Sequence, residues 1–438
     1  MSGVFRRVTG EPVIAVSGEG AWVEDVAGNR YLDAAGGAVA VGIGHGDTGV
    51  AAAMQRQAAQ LSYVHAGVFT TDAVETYAAE LARVLPVDDP YVFPVSGGAE
   101  AVETAFKLAR AHHVACGDPG RHVIVARHGS YHGNTRGALD ASGRDPLRRP
   151  YEPWLGRTVH VPAVYEYRCP HQAHPDRCGE WHAARLADTL DRIDPATVAA
   201  FIAEPIAGAT LAAAVPSDDY WPAVAKVCRE RGVLLIADEV MTGFGRTGRW
   251  FGVDHWGVRP DILVAAKGAS SGYWPLGLCV ASGAVHDAVA ATGFVHGYTW
   301  SHHPVGAAVG SAVLHRLEEG GLVERAAVVG ERLRHRLADA LAGAAAVGDV
   351  RGRGMLVGVE LVADRATKAP YPRAARITEQ VVAAGRRRGL LLYSSTGHLD
   401  GDGDLILLGP PLTIDESEET MIIDRLTAAI GDVVGAHP

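Results

Sequence analysis

The sequence is poor in cysteine, in basic residues and in long apolar runs. Five cysteines among 438 residues are too few for a disulfide framework, which indicates a reducing compartment. Lysine and arginine number 40 against 50 acidic residues, and the net charge of -10 argues against a nucleic-acid partner. No apolar run approaches the ~20 residues that span a bilayer, and residues 1–7 lack the apolar core of a signal peptide. We therefore expect a cytoplasmic protein with neither a nucleic-acid nor a membrane partner.

The hydrophobic pattern predicts a large and a small domain. Between about residues 90 and 300, short apolar strands alternate with helical stretches. This alternation is typical of an α/β fold with a mostly parallel sheet flanked by helices. Beyond it, we expect a helical tract from about residue 304 to 346, then strands at 355–361, 390–393 and 405–408, with a polar turn at 400–404 between the last two. This pattern predicts a smaller α+β domain. We expect an N-terminal segment at 1–65 that joins the small domain, a large domain at 66–304, and a C-terminal small domain at 305–438.

An acid and an amine follow two of the expected strands. The apolar run at 233–237 ends in Asp238, and the run at 262–266 ends in Lys267. Because ligands of parallel sheets bind at the carboxyl ends of the strands, both side chains are expected at one edge. Lysine holds the aldehyde of pyridoxal phosphate (PLP) as a Schiff base, and a carboxylate keeps the pyridine nitrogen protonated. Alone, the pair is weak, since solvated lysines and turn-capping aspartates are common.

A glycine-rich turn precedes one of the expected helices. It places Gly97, Gly98 and Ala99 between a short strand and a helix with one apolar face. Glycines let the backbone approach a ligand closely, and free N–H groups at a helix N-terminus bind anions. The same residues also suit an ordinary tight turn with Glu100 favouring the helix dipole. Both interpretations stay open, but the spacing differs from the dinucleotide fingerprint.

Four further residues follow strand ends and suit a planar ring. Tyr131 can stack on one face of a pyridine ring and Val240 can press on the other. His132 follows Tyr131 directly, and Glu204 ends another apolar strand at the same expected edge. Each has an ordinary structural alternative in a core or a turn. Their common position at strand ends favours a binding site.

Cysteines and histidines cluster between residues 169 and 182. Cys169 and Cys178 bracket His171 and His174, and His182 follows. The spacing matches no common zinc pattern, and loop cysteines with solvated histidines are frequent. We therefore expect no metal ion in this protein.

Taken together, these stretches resemble the class III (ω-aminotransferase-like) family of fold-type I PLP-dependent enzymes. The resemblance covers nearly the whole chain, and the segment that starts at Asp238 is its most specific part. The matching stretches are Gly20 to Asp25, Gly44 to Gly46, Ser96 to Ala101, Tyr131 to Gly133, Glu204-Pro205, Asp238 to Gly248, Lys267-Gly268 and Gly297 to Pro304. The resemblance implies a PLP-dependent transferase fold of type I, with PLP bound in the large domain.

The resemblance also implies a role for each matching residue. Lys267 forms the Schiff base and carries the proton, while Asp238 pairs with the pyridinium. The remaining implied cofactor contacts are ring stacking by Tyr131 and Val240, phosphate binding by the backbone of Gly97, Gly98 and Ala99, and positions near the ring for His132 and Glu204. Thr299 is implied to reach the phosphate of a neighbouring subunit, so a homodimer with shared sites is expected.

The implied reaction is transamination between small molecules. An amine or amino acid would donate the amino group, and a keto acid or aldehyde would accept it. The same machinery also supports an aminomutase, a racemase or epimerase, or a decarboxylase, because pocket shape decides which substrate bond breaks. A catalytically silent, PLP-binding regulatory homologue is the alternative from a different class.

One departure from the family bears on the substrate. Many relatives carry a carboxylate-binding arginine where this chain has Tyr393. Either another arginine replaces it, or the substrate lacks a simple α-carboxylate at that end. The candidate replacements are Arg144, Arg148 and Arg353. Val39 stands where some relatives place a bulky aromatic, which predicts a roomier pocket, and Val68 and Phe69 are expected to line it.

Overall fold

The computed structural model describes residues 3–5 and 12–435, so most of the segment tested for a signal peptide lies outside the described residues. The strands are β1 Ala15–Glu19, β2 Trp22–Asp25, β3 Arg30–Asp33, β4 Tyr91–Val95, β5 Val123–Arg127, β6 Val159–Val161, β7 Val198–Ala203, β8 Leu234–Asp238, β9 Ile262–Ala265, β10 Gly277–Ala281, β11 Val347–Arg353, β12 Leu356–Leu361, β13 Leu390–Leu391, β14 Tyr393–Leu399 and β15 Asp402–Leu408.

Helices surround these strands along most of the chain. They are α1 Gly36–Val39, α2 Thr48–Gln60, α3 Asp72–Ala82, α4 Gly98–Ala115, α5 Arg136–Ala141, α6 Asp145–Arg148, α7 Cys178–Arg192, α8 Tyr220–Glu230, α9 Gly283–Ala290, α10 Pro304–Glu319, α11 Leu322–Leu341, α12 Ile377–Arg387 and α13 Glu416–Val434. Among the described residues, no helix combines the length and the apolar character that crossing a bilayer requires.

A seven-stranded sheet forms the centre of the molecule, in the order β4-β10-β9-β8-β7-β5-β6. The strands from β9 to β6 pair in parallel, whereas β10 runs antiparallel to both of its neighbours. Every residue of β7, β8 and β9 is buried, as expected for strands covered by helices on both faces. This arrangement brings the residues that follow β8 and β9 to one edge.

Two four-stranded sheets flank this core. One has the order β1-β2-β3-β13 and the other the order β11-β12-β15-β14. The N-terminal strand β3 pairs in parallel with β13 near the other end of the chain, through Leu32 and Leu390. The N-terminal strands therefore share a sheet with the C-terminal part. The domain limits at 65/66 and 304/305 stay a prediction.

Several expected elements differ in detail. The helical tract expected from about residue 304 to 346 is two helices, interrupted where Gly321 adopts a left-handed backbone (φ 54°). The strand expected at 390–393 is divided between two sheets, as β13 and the start of β14. The polar turn expected at 400–404 is shorter, because β15 begins at Asp402. Helix α7, strand β10 and helix α9 have no counterpart among the expected elements.

One buried arginine joins three distant segments of the chain. The Arg246 guanidinium donates hydrogen bonds to the carbonyl oxygens of Val41 (3.4 Å), Met355 (3.1 Å) and Pro410 (2.5 Å). Burial lowers the pKa of Arg246 to about 10, so it stays charged near neutral pH. Arg246 therefore links the turn beyond β8 to both the N-terminal and the C-terminal parts.

Candidate active site

Lys267 lies directly beyond the carboxyl end of β9, beside the end of β8. Asp238 is the last residue of β8 and pairs with Val264 in β9, so the acid and the amine share one sheet edge. Lys267 has a left-handed backbone (φ 43°), which non-glycine residues adopt rarely. A Cβ on the following residue, Gly268, would lie 2.9 Å from the Phe244 Cβ. The glycine after the lysine is therefore required by close packing.

The Lys267 amine is surrounded by protein, although the side chain keeps partial contact with solvent. Desolvation by burial lowers its pKa to about 8, and the positive charge of Arg246 adds to this effect. The carboxylates of Asp238 and Glu204 act in the opposite direction. A substantial fraction of the amine is therefore neutral near pH 7–8, as a nucleophile for an aldehyde must be.

The rate at which the cofactor-free protein binds PLP is expected to rise with pH and to level off above an apparent pKa of about 8. Below that pKa the amine is protonated and cannot attack an aldehyde. Stopped-flow absorbance over a pH series measures this rate, with Lys267→Ala as the control that forms no covalent product. A rate that still rises steeply around pH 10, as for a lysine with the ordinary pKa of 10.5, would contradict the low pKa.

Asp238 is held in place by hydrogen bonds to both of its carboxylate oxygens. One oxygen lies 2.6 Å from Nδ1 of the buried His132, and the other accepts a bond of 3.0 Å from the Val240 N–H. The second ring nitrogen of His132 is buried and has no partner among the described residues. His132 thus orients the Asp238 carboxylate. The sequence motif alone does not predict this contact.

Two more buried carboxyl groups lie at this edge. Burial raises the pKa of Glu204 to about 7, with the negative charge of Asp238 adding to it and His132 and Arg127 opposing it. One Glu204 oxygen is buried without a hydrogen-bond partner in the described part of the chain, and its ion-pair contact with Arg127 Nη2 is long, at 3.9 Å. Glu239 accepts hydrogen bonds from the backbone N–H groups of Gly252 and Val253 at 2.8 Å each. Glu239 therefore stabilises the turn beyond Asp238.

The N-terminus of α4 has no side-chain cap. Its N-cap, Gly97, supplies no side-chain cap to this 18-residue helix, and the buried Ser96 Oγ has no partner among the described residues. A Cβ at Gly98 would come within 3.0 Å of the Val240 side chain, so the backbone of the turn lies against the segment that follows Asp238. The Ser96 N–H donates to the Glu100 carboxylate at 2.9 Å, as in an ordinary tight turn, while the uncapped helix N-terminus also suits an anion. Both interpretations of this turn therefore stay open.

The residues predicted to line the substrate pocket fall into two groups. Val39, Tyr131 and Tyr393 pack in one apolar cluster, which Met241 also joins. In contrast, Val68 and Phe69 are 70% and 62% exposed and are not members of that cluster. Within one described chain, the structure therefore brings the first three together and leaves the other two on the surface.

Thr299, the residue implied to reach a neighbouring subunit, is also exposed. It lines a surface depression together with Tyr63, His65 and His302. The ring of Tyr63 meets the exposed Trp300 edge-on, with centroids 5.5 Å apart. Thr299 thus lies on an aromatic surface outside the cluster around Tyr131.

The chain matches known aminotransferases over nearly its full length. The family model for aminotransferase class III matches residues 5–430. An uncharacterised aminotransferase of Bacillus subtilis, YodT, is 36% identical over 96% of this chain and 95% of its own length. The putrescine–pyruvate aminotransferase of Pseudomonas aeruginosa is 33% identical over 92% of this chain and 87% of its own length.

Solved structures agree with this match. A thermostable (S)-enantioselective ω-transaminase from Thermomicrobium roseum superposes with a TM-score of 0.91 at 39% identity, covering 97% of this chain and 93% of that one. The fold and the sequence together define a member of the class III aminotransferases, to which this chain belongs. It is an enzyme that transfers an amino group, and its family is PLP-dependent. The expected fold class, family and type of reaction are confirmed.

Proposed function

We propose that this aminotransferase binds PLP covalently through Lys267, with Asp238 beneath the pyridine nitrogen. The observation that carries the proposal is an amine of lowered pKa at the same sheet edge as a carboxylate that two donors orient. Ser96, with the backbone of Gly97, Gly98 and Ala99, would bind the phosphate. When bound, PLP supplies an electron-withdrawing ring that stabilises the charge left when a bond to the substrate carbon breaks.

The residues of the chain would supply proton transfer and orientation. Lys267 Nζ, about half of which is neutral at pH 8, would take a proton from the substrate carbon that carries the amine and deliver one to the acceptor. Asp238 provides a fixed negative charge in a poorly solvated site, where it acts more strongly than in water. Tyr131 and Val240 would lie on the two faces of the ring, and the Glu204 oxygen that has no hydrogen-bond partner in the described part of the chain supports a polar position near it.

The structure separates the three arginines proposed to replace the missing carboxylate ligand at Tyr393. Arg148 Nη1 already donates to the carbonyl oxygens of Leu139, Asp140 and Ser142. Arg353 lies 5.2 Å from the Trp256 ring centroid and 3.6 Å from an Asp218 oxygen. Both guanidinium groups are therefore engaged elsewhere.

Arg144 is the arginine left for a substrate. Its Nε is buried and has no partner in the described part of the chain. Burial lowers the pKa of Arg144, while the neighbouring Tyr393 and Tyr131 oppose the shift. The cation is thus close to two residues of the apolar cluster. We propose that Arg144 binds the α-carboxylate of the keto acid acceptor and of the amino acid formed from it.

Arg144→Gln is expected to raise KM for the keto acid about 10–100-fold, the loss of roughly 1.5–3 kcal/mol from a hydrogen bond to a charged group. The change in kcat is expected to be small, since Arg144 binds substrate and does not move protons. Steady-state kinetics with pyruvate as acceptor measures both values. The exposed Arg149, in the same segment, provides the matched control, Arg149→Gln. An unchanged KM in Arg144→Gln would contradict the assignment.

The amine donor would enter the cluster around Tyr131. The short Val39 side chain leaves this cluster without a bulky aromatic at that position, which supports primary amines with sizeable apolar groups as donors. The putrescine–pyruvate relative also transfers an amine to a keto acid. We therefore propose a primary-amine donor and an acceptor of the pyruvate type.

A second copy of the chain would complete the site. Val68, Phe69 and Trp300 are large hydrophobic residues on the surface, between 58% and 70% exposed. Their burial against another copy would bring Thr299 to the phosphate of the neighbouring site, in a two-fold homodimer. A holoenzyme that sediments as a single chain would contradict the shared site.

Five free thiols support a location in the cytoplasm.

A donor panel tests the reaction as a whole. PLP-loaded enzyme is mixed with one donor at a time, and loss of the visible absorbance reports transfer of the amino group to the cofactor. Recovery of that absorbance with pyruvate completes the cycle. If no donor changes the spectrum, the proposal that this chain transfers an amino group through PLP is wrong. A donor returned as its isomer or decarboxylated product would instead indicate one of the alternative reactions.

A further inference from the structure

Two thiols and an imidazole meet in the segment that leads into α7. The ligand atoms of Cys169, His174 and Cys178 all lie within 4.8 Å of one another. The two Sγ atoms are 3.6 Å apart, and His174 Nδ1 lies 3.0 Å from the Cys178 Sγ. These three residues are here called the Cys-His cluster, and none of them belongs to the proposed PLP site.

Two more imidazoles border the Cys-His cluster. His182 Nε2 lies 3.8 Å from the Cys169 Sγ, and His171 Nδ1 lies 3.8 Å from the Cys178 Sγ. The other nitrogen of the buried His182 has no partner among the described residues. The His171 ring stacks on Trp181, with centroids 5.5 Å apart, so neighbouring side chains fix its orientation. Each sulfur atom therefore has at least two nitrogen or sulfur neighbours.

Three of these separations, the 3.6 Å between the Sγ atoms and the two contacts of 3.8 Å to His171 and His182, match the coordination shell of a zinc ion. The 3.0 Å from His174 Nδ1 to the Cys178 Sγ is shorter, so this contact would lengthen slightly around a bound ion. Zinc binds thiolate at about 2.3 Å and imidazole at about 2.0–2.1 Å, so tetrahedral ligand atoms lie roughly 3.3–3.8 Å apart. We propose that the Cys-His cluster binds Zn²⁺ through Cys169, Cys178 and His174, with His171 or His182 as the fourth ligand. This proposal replaces the expectation of no metal, which rested on sequence spacing alone.

The position of the cluster indicates a structural role. The Cys-His cluster would close the loop at residues 169–178, which connects the segment at 167–168 with the start of α7. The segment at 167–168 is hydrogen-bonded to the C-terminal part of the chain. In that segment, Arg168 Nε donates to Glu360 in β12 at 2.8 Å, and the Tyr167 carbonyl accepts a bond of 2.6 Å from Lys368. A closed, four-ligand zinc site leaves no position for a substrate. The metal would therefore fix this contact with the C-terminal part, and the transamination chemistry would not pass through it.

Metal analysis of the full-length holoenzyme, purified with a thiol-free reductant and zinc in the medium, tests the proposal. We expect about one zinc per chain in the unaltered enzyme and loss of most of it in Cys169→Ser and in His174→Asn. His174 is exposed, so its variant should fold even if a cysteine variant does not. Cys116→Ser is the matched control, because the Cys116 Sγ also lies near a histidine, 3.7 Å from His112 Nε2. Comparing His171→Asn with His182→Asn identifies the fourth ligand.

Cobalt provides a second, spectroscopic measurement. Replacing zinc by Co²⁺ in the holoenzyme is expected to give thiolate-to-cobalt charge-transfer absorption, which Cys169→Ser weakens and Cys116→Ser does not. Zinc content that is unchanged in Cys169→Ser and His174→Asn would overturn the proposal. So would the absence of both zinc and the cobalt band from the unaltered enzyme, or a Cys169–Cys178 disulfide in the reduced preparation. None of these results depends on PLP or on the assignment of Lys267.

Discussion

Lys267→Ala is expected to lower the rate of transamination about 10⁴-fold or more, because one side chain serves as both covalent anchor and proton carrier. The amine owes its reactivity to its surroundings, since burial lowers its pKa to about 8. The variant should still fold and bind PLP without a covalent bond, because the proposed phosphate contacts near Ser96 and the proposed partner of the ring, Asp238, remain. Absorbance spectra should show the free aldehyde in place of the Schiff base.

A second lysine and an added amine make this test specific. Lys226, an exposed residue of α8 paired with Glu230 at 3.8 Å, gives the control variant Lys226→Ala, which should keep full activity. Small primary amines added to Lys267→Ala should restore part of the rate, because a diffusible base can carry the missing proton. Borohydride reduction of the unaltered holoenzyme should label Lys267. A label on another residue, or near-normal turnover in Lys267→Ala, would remove the basis of the proposed site.

Asp238→Asn is expected to lower kcat about 10²–10³-fold, the usual loss when a preorganised electrostatic partner is removed. An amide fills the same space but carries no charge, so it cannot keep the pyridine nitrogen protonated. In this variant the 2.6 Å contact between His132 and Asp238 would become one between an imidazole and a neutral amide. This weaker contact would hold the side chain at position 238 less firmly. PLP affinity should fall as well, as titration of the cofactor-free variant would show.

The exposed Asp287 in α9 offers the matched control for this charge change. Its side chain is 76% exposed, so Asp287→Asn should behave as the unaltered enzyme. His132→Asn should reduce kcat less than Asp238→Asn, since His132 acts only by orienting the Asp238 carboxylate. Equal activity of Asp238→Asn and Asp287→Asn would show that Asp238 is not the partner of the cofactor.

The parts of the fold that the sequence predicted are those with a strong local signal. Strands β7, β8 and β9 are continuous apolar runs, because helices cover the sheet on both faces. Polar residues directly after such runs then lie at one edge, which is why Asp238 and Lys267 were placed together. The direction of β10 carries no such signal, because a buried strand has the same composition whether it is parallel or antiparallel.

Local sequence patterns could not predict contacts between segments that are distant in the chain. The bond between His132 and Asp238 joins residues 106 positions apart. The Cys-His cluster depends on how a loop folds back on the start of α7, and no spacing rule contains that information. The proposal of Arg144 as the substrate-binding arginine also depends on such contacts. Only the structure shows that Arg148 and Arg353 are already engaged, while Arg144 Nε has no hydrogen-bond partner in the described part of the chain.

Arg246 constrains how the enzyme can move. Its guanidinium bonds the carbonyl oxygens of Val41, Met355 and Pro410 and so links them to the turn that follows Asp238. Moving any of these carbonyl groups away from Arg246 would break a charge-assisted hydrogen bond, at a cost of about 1.5–3 kcal/mol. We therefore expect that motions which let an amine substrate enter occur in loops away from Arg246. The positions of the residues proposed to hold the pyridine ring should then stay unchanged during these motions.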